Sequence, residues 1–299
     1  MAYKMYIMDF CSTHFGTGKL DTASIVFSAD RLFSALVLEA IKMNKLEEFL
    51  EIAYQDDFVL TDAFPFKEIP YLPKPIGYPK PEKLSSNLNV VEVRQQAKKS
   101  KKLNYIDFKS ISTFLDGKIF DSVSFGKFDI VTKNQPFKDG NLFQIGTITY
   151  EKTASLYVIA NQSELFDTLM YSLQFSGIGG KRSSGYGRFT LEINEIPKDL
   201  ESHLTLSSDD KVMALTTCLP QDEELEIAMK DSRYLLLKFS GFSFSNSRKE
   251  NFRKQNLYKF KSGSTFSKTF KGQIVDIRPS DFPHPVLNFA KPLFYKLEV

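Results

Sequence analysis

The sequence predicts an α+β protein in which antiparallel sheets carry helices on one face. Short segments with alternating apolar and polar residues predict strands, and apolar residues at helical spacing predict several helices between them. Hydrophobic residues make up 42% of the chain and charged residues 25%, as is typical of a globular protein. Because 299 residues can bury a large core, we expect two domains.

The first predicted elements are a strand at residues 3–10, a short glycine-containing loop at 14–19 and a helix at 28–43. Ser28 is a favourable N-cap for this helix, whose apolar residues recur at the spacing that buries one face. A shorter helix is expected at 45–53. Together these elements predict the beginning of a sheet that is covered by helices.

The middle of the first domain is predicted to carry an insertion. Residues 64–84 hold six of the 13 prolines, which indicates an extended connection. A basic run at 94–102 follows, and the pattern stays irregular as far as residue 128, so we interpret about 80–130 as an insertion that projects from the domain. Farther on, the Asp-Gly pair at 139–140 stands between apolar segments and predicts a hairpin.

A strand at 154–160, a helix at 161–175 and a strand at 189–193 complete the first domain. Asn161 and Glu164 resemble a capping box at the start of that helix. The order of strand, helix, insertion with strands, helix and strand is close to a ferredoxin-like or RNA-recognition-motif (RRM-like) arrangement.

An acidic region follows the first domain. Residues 195–226 contain nine acidic residues against Lys198 and Lys211. We predict an N-terminal domain at 1–195 and a C-terminal domain at 196–299, the latter a divergent second ferredoxin-like copy. The acidic residues form either a protein-docking surface or a solvated linker.

The stretch Gly177–Arg188, called the glycine loop from here on, lies between the second long helix and the last strand of the first domain. It contains five glycines, three basic residues and two serines, with no acidic residue between Asp167 and Glu192. Glycine lets another molecule approach main-chain N–H groups closely. The loop therefore predicts that a polyanion binds along the main chain, the alternative being a helix C-cap and turn with incidental charge.

The usual nucleotide-binding motifs do not match the glycine loop. A Walker A motif needs a glycine five residues before Gly180-Lys181 and a Ser or Thr after it, where this chain has Phe175 and Arg182. The dinucleotide fingerprint runs from a strand into a helix, which reverses the order predicted here, and the loop contains no hydrolase elbow. The phosphates of a nucleic-acid backbone are therefore the expected ligand.

The distribution of charge and the few cysteines and histidines narrow the classes of function that the chain can have. The net charge of +3 is weak evidence for any partner, but three basic stretches at 94–102, 177–188 and 248–271 indicate either a nucleic-acid groove or separate solvated faces. Two cysteines cannot build a disulfide framework, and three scattered histidines lack ligand spacing, so we predict no metal and no cofactor. With no signal peptide and no membrane-spanning run, we expect a cytoplasmic protein with reduced thiols.

These stretches, together with the family resemblance given next, imply a set of candidate RNA-binding residues. We expect glycine N–H groups of the loop to contact phosphates, assisted by its cations and serine hydroxyls. Tyr186, His14 and Phe15 either stack on bases or pack in the core, and Arg31 either reaches the nucleic acid or pairs with Asp30. The predicted set is His14, Phe15, Gly16, Arg31, Arg94, Lys98, Lys101, Lys133, Asn134, Gly177, Gly179, Gly180, Lys181, Arg182, Ser183, Ser184, Gly185, Tyr186, Arg188 and Arg253.

The order and composition of these motifs resemble the RAMP superfamily of CRISPR proteins. Two C-terminal segments resemble one branch of it, the subunit that caps the 5′ handle of the guide RNA in type III-A (Csm) effector complexes. The resemblance extends over nearly the whole chain. The matching segments are His14–Gly18, Ser28–Ser34, Lys133–Phe143, Gly177–Arg188, Ser262–Phe266 and His284–Phe289.

This resemblance implies two ferredoxin-like domains and a site for the repeat-derived 5′ handle of the guide RNA. It also implies docking to a large polymerase/cyclase-like subunit on one side and to the first backbone RAMP subunit on the other. The insertion would correspond to a thumb that bends the guide near the end of the handle. Some RAMP proteins are instead metal-independent endoribonucleases that process the guide precursor, which here would use His14 with Lys19 or Tyr6. A protein–protein adaptor with incidental basic patches is the third interpretation.

Overall fold

The computed structural model confirms an α+β fold with antiparallel sheets, and it describes residues 3–80, 90–134, 142–207, 210–243 and 252–298. Among these residues the helices are α1 (Ala29–Lys42), α2 (Leu46–Tyr54), α3 (Val90–Lys102), α4 (Ile111–Leu115), α5 (Glu164–Ser176), α6 (Lys198–Ser202) and α7 (Leu225–Met229). The strands of the first half are β1 (Tyr3–Phe10), β2 (Ser12–Thr13), β3 (Phe15–Gly16), β4 (Ala23–Ser24), β5 (Phe64–Lys67), β6 (Ile69–Pro73), β7 (Tyr105–Asp107), β8 (Gly126–Asn134), β9 (Leu142–Tyr150) and β10 (Ser155–Asn161). Those of the second half are β11 (Phe189–Glu195), β12 (Lys211–Ala214), β13 (Leu236–Phe239), β14 (Phe242–Ser243), β15 (Phe252–Arg253), β16 (Leu257–Phe260), β17 (Thr265–Phe266), β18 (Gln273–Asp276), β19 (Leu287–Ala290) and β20 (Phe294–Leu297).

Contacts within the chain define two compact units. The first consists of Met1–Phe58, Ala63–Glu68 and Ser124–Glu195, and the second of Val59–Asp62, Ile69–Val123 and Ile196–Val299. The predicted domain limits, 1–195 and 196–299, stay a prediction, because compact units need not coincide with domains. Most of the segment predicted as an insertion in the first domain groups with the second unit, since its contacts are made there. Its residues 81–89 lie outside the described part.

The first unit is built on four neighbouring antiparallel strands in the order β11-β1-β10-β5. Strand β1 is central, since Tyr6 pairs with Val158 on one side and with Ile193 on the other. The connections from β1 to β5 and from β10 to β11 both contain helices. This strand order and these connections are consistent with the predicted ferredoxin-like arrangement.

Helices α1 and α5 pack together, and α5 packs on the sheet. The rings of Tyr6 and Phe166 meet edge to face with their centroids 5.0 Å apart. Buried Glu39 of α1 accepts hydrogen bonds from Ser172 Oγ (2.8 Å) and Lys42 Nζ (2.7 Å). Burial disfavours the charged carboxylate, but these hydrogen bonds outweigh it and lower the pKa of Glu39.

The helix limits agree with the predicted ones except at one start. Helix α1 begins after Ser28, as predicted, although the Ser28 side chain makes no capping hydrogen bond. Helix α5 begins after Ser163, whose Oγ accepts a hydrogen bond from the Phe166 N–H (3.1 Å). The predicted capping box at Asn161 is wrong, because β10 continues through this buried residue before the chain turns.

The predicted hairpin is confirmed by β8 and β9, which pair along nine residues each. The predicted turn at 139–140 lies outside the described residues. Ser12 pairs with Thr149 and Thr13 with Ile148, so the hairpin is joined to the segment that directly follows β1.

The second unit contains a three-stranded sheet in the order β17-β12-β20 and several two-stranded pairs. Its core includes the rings of Phe260, Phe266 and Phe294. The basic run at 94–102, which was predicted to be irregular, belongs to helix α3. Its few apolar residues gave no helical pattern to recognise. A second ferredoxin-like copy in this part of the chain stays a prediction.

No helix of the described residues is long and apolar enough to cross a bilayer. Within the same residues, no three His, Cys, Asp or Glu side chains come together as a metal site. Cys11 is exposed and Cys218 is buried, and both are free thiols. Burial raises the pKa of the Cys218 thiol.

Candidate nucleic-acid interface

The two ends of the glycine loop are anchored inside the first unit. Helix α5 ends where the Gly177 N–H donates to Leu173 O (2.7 Å). The Ile178 N–H then donates to Gly187 O (2.8 Å), and the Gly187 N–H donates to Ser12 O (2.9 Å). Gly187 has a φ of 80°, and a Cβ there would lie 2.0 Å from Ile178 O, so this position requires glycine. These buried ends hold the rest of the loop in place.

The middle of the glycine loop is an exposed basic turn, Lys181–Gly185. A single turn of 3-10 helix covers Arg182–Ser184, and Lys181 precedes it with a left-handed φ of 58°. The Ser184 and Gly185 N–H groups bond within the turn. In the described part of the chain, the N–H groups of Lys181, Arg182 and Ser183 make no hydrogen bond. The basic turn therefore combines two cations with three main-chain donors that are left for a ligand.

Most glycine N–H groups of the loop, which were predicted to bind phosphate, already donate hydrogen bonds within the protein. The N–H groups of Gly177, Gly180, Gly185 and Gly187 all bond within the protein, because they hold the loop in its shape. Among the glycines of the loop, Gly179 has an N–H without a partner in the described residues. The main-chain donors left for a ligand thus come mostly from non-glycine residues.

His14 supports the glycine loop from a buried position. Its Nδ1 lies 2.7 Å from Gly146 O, and since a carbonyl only accepts, Nδ1 is the donor. Its main-chain oxygen accepts the Gly180 N–H (3.0 Å). A Cβ at Gly16 would lie 3.1 Å from His14 Nε2, and one at Gly180 would lie 2.7 Å from Cδ2. Both predicted glycines therefore make room for this ring, which is 6% exposed and is not free to stack on a base.

Phe15 and Arg31, which lie close to His14 in the chain or in the groove, form a cation–ring contact. Phe15 is completely buried, with its ring centroid 5.6 Å from that of Phe10 and 4.9 Å from that of Phe27. The predicted alternative that Phe15 stacks on a base is therefore wrong, because its ring belongs to the core. Arg31 Nη2 donates to Gly16 O (2.9 Å), and its guanidinium lies 5.8 Å from the Phe15 centroid. Burial lowers the pKa of Arg31, although a guanidinium stays charged in proteins.

A groove of about 400 Å³ lies between α1 and the glycine loop. Its lining combines the cations Arg31 and Arg182 with Ser34 and with Leu38, which is 47% exposed. Ser34 and Leu38 were not predicted as site residues, although they follow Arg31 by three and seven residues and so share its face of the helix. Such a groove can receive both a phosphate and the flat surface of a base.

Two cation–ring contacts join the β8–β9 hairpin to the glycine loop. Lys133 Nζ lies 4.6 Å from the centroid of Tyr186, and Lys181 Nζ lies 4.7 Å from that of Phe143. The predicted residues Lys133 and Tyr186 are thus brought together, and Tyr186 is partly exposed. Asn134 ends β8, and only its main chain is described. Phe143 was missed as a site residue because only the fold brings it to the loop.

Comparison with known proteins decides the family. The model of the CRISPR Csm4 C-terminal domain matches residues 207–297. CRISPR system Cms protein Csm4 of Streptococcus thermophilus is 60% identical over 299 residues, covering 100% of this chain and 100% of the relative. The chain belongs to the Csm4 family. The resemblance to the type III-A branch of the RAMP superfamily is thereby confirmed.

Solved structures share the fold of this Csm4-family chain. A chain of the Csm3–Csm4 subcomplex in the type III-A CRISPR-Cas interference complex superposes with a TM-score of 0.62 at 20% identity, covering 99% of this chain and 100% of that one. A chain of the Csm1–Csm4 cassette in complex with pppApA gives a TM-score of 0.65 at 17% identity, covering 99% and 98%. At these identities the likeness establishes the fold.

The remaining predicted residues of this Csm4-family chain are not among those that line the groove. Arg94, Lys98 and Lys101 belong to the second unit, where steps of four and three residues along α3 put them on one exposed face. Arg253 is exposed on β15, paired with Phe242 of β14. Arg188 is exposed at the end of the glycine loop, where β11 begins.

Proposed function

We propose that this chain is a non-catalytic RNA-binding subunit of a type III-A CRISPR effector complex. It binds the repeat-derived 5′ handle of the guide RNA and links the large polymerase/cyclase-like subunit to the backbone RAMP filament, in the cytoplasm. The observation that carries the RNA-binding role is the basic turn, which offers cations and N–H groups that have no partner among the described residues, beside a partly apolar groove. The partners are supported by the proteins of like fold that were crystallised with Csm1 and with Csm3.

The basic turn and the groove suit different parts of a nucleotide. The N–H groups at 181–183, which make no hydrogen bond in the described part of the chain, and the neighbouring cations match phosphate oxygens, which position a strand without reading its sequence. The groove beside Leu38 has room for a splayed base, the form in which proteins usually read single-stranded RNA. Tyr186 is the ring left for stacking, because Phe15 is in the core and His14 is held in place.

A non-catalytic role fits the surroundings of His14 better than guide processing does. Metal-independent cleavage needs a general base and a general acid near the scissile phosphate. One nitrogen of His14 is committed to Gly146 O. The Tyr6 hydroxyl donates to Asp167 (2.6 Å), and burial raises its pKa, so it is a poor partner for proton transfer. Repeat-containing RNA incubated without metal should stay intact with the wild-type chain, whereas His14-dependent cleavage would overturn the non-catalytic role.

Site-directed crosslinking tests the handle-binding role directly. The complex is assembled on guide RNAs with one photoreactive nucleotide at each handle position in turn, and the attached peptides are mapped. We expect peptides that contain the glycine loop or the start of α1. Crosslinks confined to other segments or other subunits would refute the proposal. The adaptor alternative predicts in addition that the purified chain has no affinity for RNA.

A further inference from the structure

A second concave site lies where the glycine loop joins β11. A pocket of about 660 Å³, called the Arg188 pocket from here on, is bordered by the exposed residues Asp9, Cys11, Lys152 and Arg188. None of these residues except Arg188 was predicted to bind RNA. The pocket is distinct from the groove beside α1, whose cations are Arg31 and Arg182.

The inner wall of the Arg188 pocket is aromatic. Phe10 lies between two other buried rings, with its centroid 5.1 Å from that of Phe189 and 5.9 Å from that of Tyr150. All three residues line the pocket. The pocket thus has a firm apolar wall with charged groups around its rim, which is the composition that binds a flat, partly polar ligand.

The charges around the rim are available to a ligand. Within the described residues, neither Lys152 nor Arg188 makes an ion pair, and the Asp9 carboxylate makes no hydrogen bond. Glu151 also lines the pocket, but its carboxylate accepts a hydrogen bond from Lys67 Nζ (2.8 Å). The rim therefore presents two cations and one unsatisfied carboxylate.

The Arg188 pocket and the groove lie on two sides of the same short segment. Gly187 donates to Ser12 O and Gly180 donates to His14 O, so the glycine loop crosses this segment at two hydrogen bonds. Cys11 of the pocket precedes the segment, and His14 at its end lines the groove. From Cys11 to His14, three residues of extended chain span about 10 Å, a distance that one or two nucleotides can bridge.

We propose that the Arg188 pocket binds a second nucleotide of the RNA strand that the glycine loop holds, an inference that rests on the proposed function. Lys152 and Arg188 contact its phosphate, and its base lies in the pocket beside Asp9, where the nearly buried rings contribute only a small apolar surface. The Asp9 carboxylate accepts a hydrogen bond from the exocyclic amino group of adenine, cytosine or guanine. Uracil has no amino group, so the pocket disfavours it.

Cys11 provides a built-in reporter for this pocket. It is exposed while Cys218 is buried, so a pyridyl disulfide reagent should react with Cys11 first, and the Cys11→Ser variant verifies the signal. The full-length chain is titrated with single-stranded oligoadenylate, oligocytidylate and oligouridylate of about eight nucleotides. We expect bound oligoadenylate to slow the reaction several-fold. Lys152→Gln should weaken binding about fourfold at about 0.15 M salt, from the loss of one phosphate contact.

Asp9→Asn tests the base contact. The hydrogen bond to the charged Asp9 carboxylate should make the wild type prefer oligoadenylate over oligouridylate by about tenfold. Asp9→Asn should weaken or reverse this preference, because the asparagine amide can donate a hydrogen bond to a uracil carbonyl. RNA binding that leaves Cys11 fully reactive overturns the pocket but leaves the proposed function standing. Equal affinities of the wild type for adenylate and uridylate also overturn it. A chain with no RNA affinity overturns the proposed function itself.

Discussion

Reversing both charges of the basic turn, in the variant Lys181→Glu/Arg182→Glu, should weaken the binding of single-stranded handle RNA strongly. Arg182 is exposed and Lys181 is partly exposed. Neither makes an ion pair within the described residues, and their N–H groups are also without a hydrogen bond there. The change therefore removes two phosphate contacts while leaving the buried ends of the glycine loop intact.

The size of the effect follows from counterion release. The loop itself carries the cations Lys181, Arg182 and Arg188, and Lys133 lies beside it. For single strands each neutralised phosphate contributes about 0.7 to the slope of log affinity against log salt, so losing two of the four lowers the slope by about 1.4. At about 0.15 M salt this corresponds to an affinity loss of about fifteenfold, before the repulsion from the two new carboxylates is added.

Fluorescence anisotropy with labelled handle RNA, measured from about 50 to about 400 mM salt, gives both the affinity and the slope. A matched control is Lys198→Glu/Lys230→Glu, which changes the net charge equally at two exposed residues outside the predicted site. The control should keep the wild-type slope, and both variants should unfold at the wild-type temperature. Unchanged affinity and slope in the Lys181→Glu/Arg182→Glu variant would refute the role of the basic turn.

Three further predictions concern packing and pH. Gly187→Ala should destabilise the protein by about 3–5 kcal/mol, because the new Cβ meets a carbonyl oxygen at a positive φ; Gly185→Ala, at a φ of 88° but in open space, should cost only about 1–2 kcal/mol in urea unfolding. Equal costs would refute the buried anchoring. Phe15→Ala should lower the free energy of unfolding by about 3–5 kcal/mol. Tyr186→Ala should leave the free energy of unfolding almost unchanged but weaken RNA binding by about 1–3 kcal/mol. The opposite pattern would contradict the placement of the two rings. The fold lowers the pKa of Glu39 below its ordinary value of 4.5. The charged carboxylate therefore stabilises the fold fully above pH 4.5, and this stabilisation is lost as the pH falls through the folded-state pKa. Acid unfolding should therefore be steeper for the wild type than for Glu39→Gln.

Local patterns in the sequence predicted much of the first unit. The apolar faces of α1 and α5 and the alternation in β1 and β11 depend on neighbours a few residues away, so their periods could be recognised directly. The start of α5 was misplaced because Asn161 and Ser163 both suit an N-cap, and the pairing of β10 decides between them. Helix α3 was missed because a helix that is mostly solvated shows no apolar period.

The composition of the glycine loop located the candidate site, but it did not predict which atoms are free. Five glycines suggested many open N–H groups, yet four of these groups bond within the protein. Sequence alone also could not separate Phe15, which is buried, from Tyr186, which is partly exposed. Some of the bonds that occupy these N–H groups are local, such as that of Gly185 with Arg182, but others join residues more than 100 positions apart, such as that of Gly187 with Ser12.

The sequence by itself predicted most elements of the first unit, the hairpin and the basic glycine loop, and it indicated a nucleic acid as the expected ligand, because propensity, periodicity and charge are local properties of the chain. Only the tertiary structure decided that His14 is a support held by Gly146, that Leu38 lines the groove and that Lys152 and Arg188 line the same pocket. The physical reason is that burial, hydrogen-bond satisfaction and pocket shape depend on which distant segments meet.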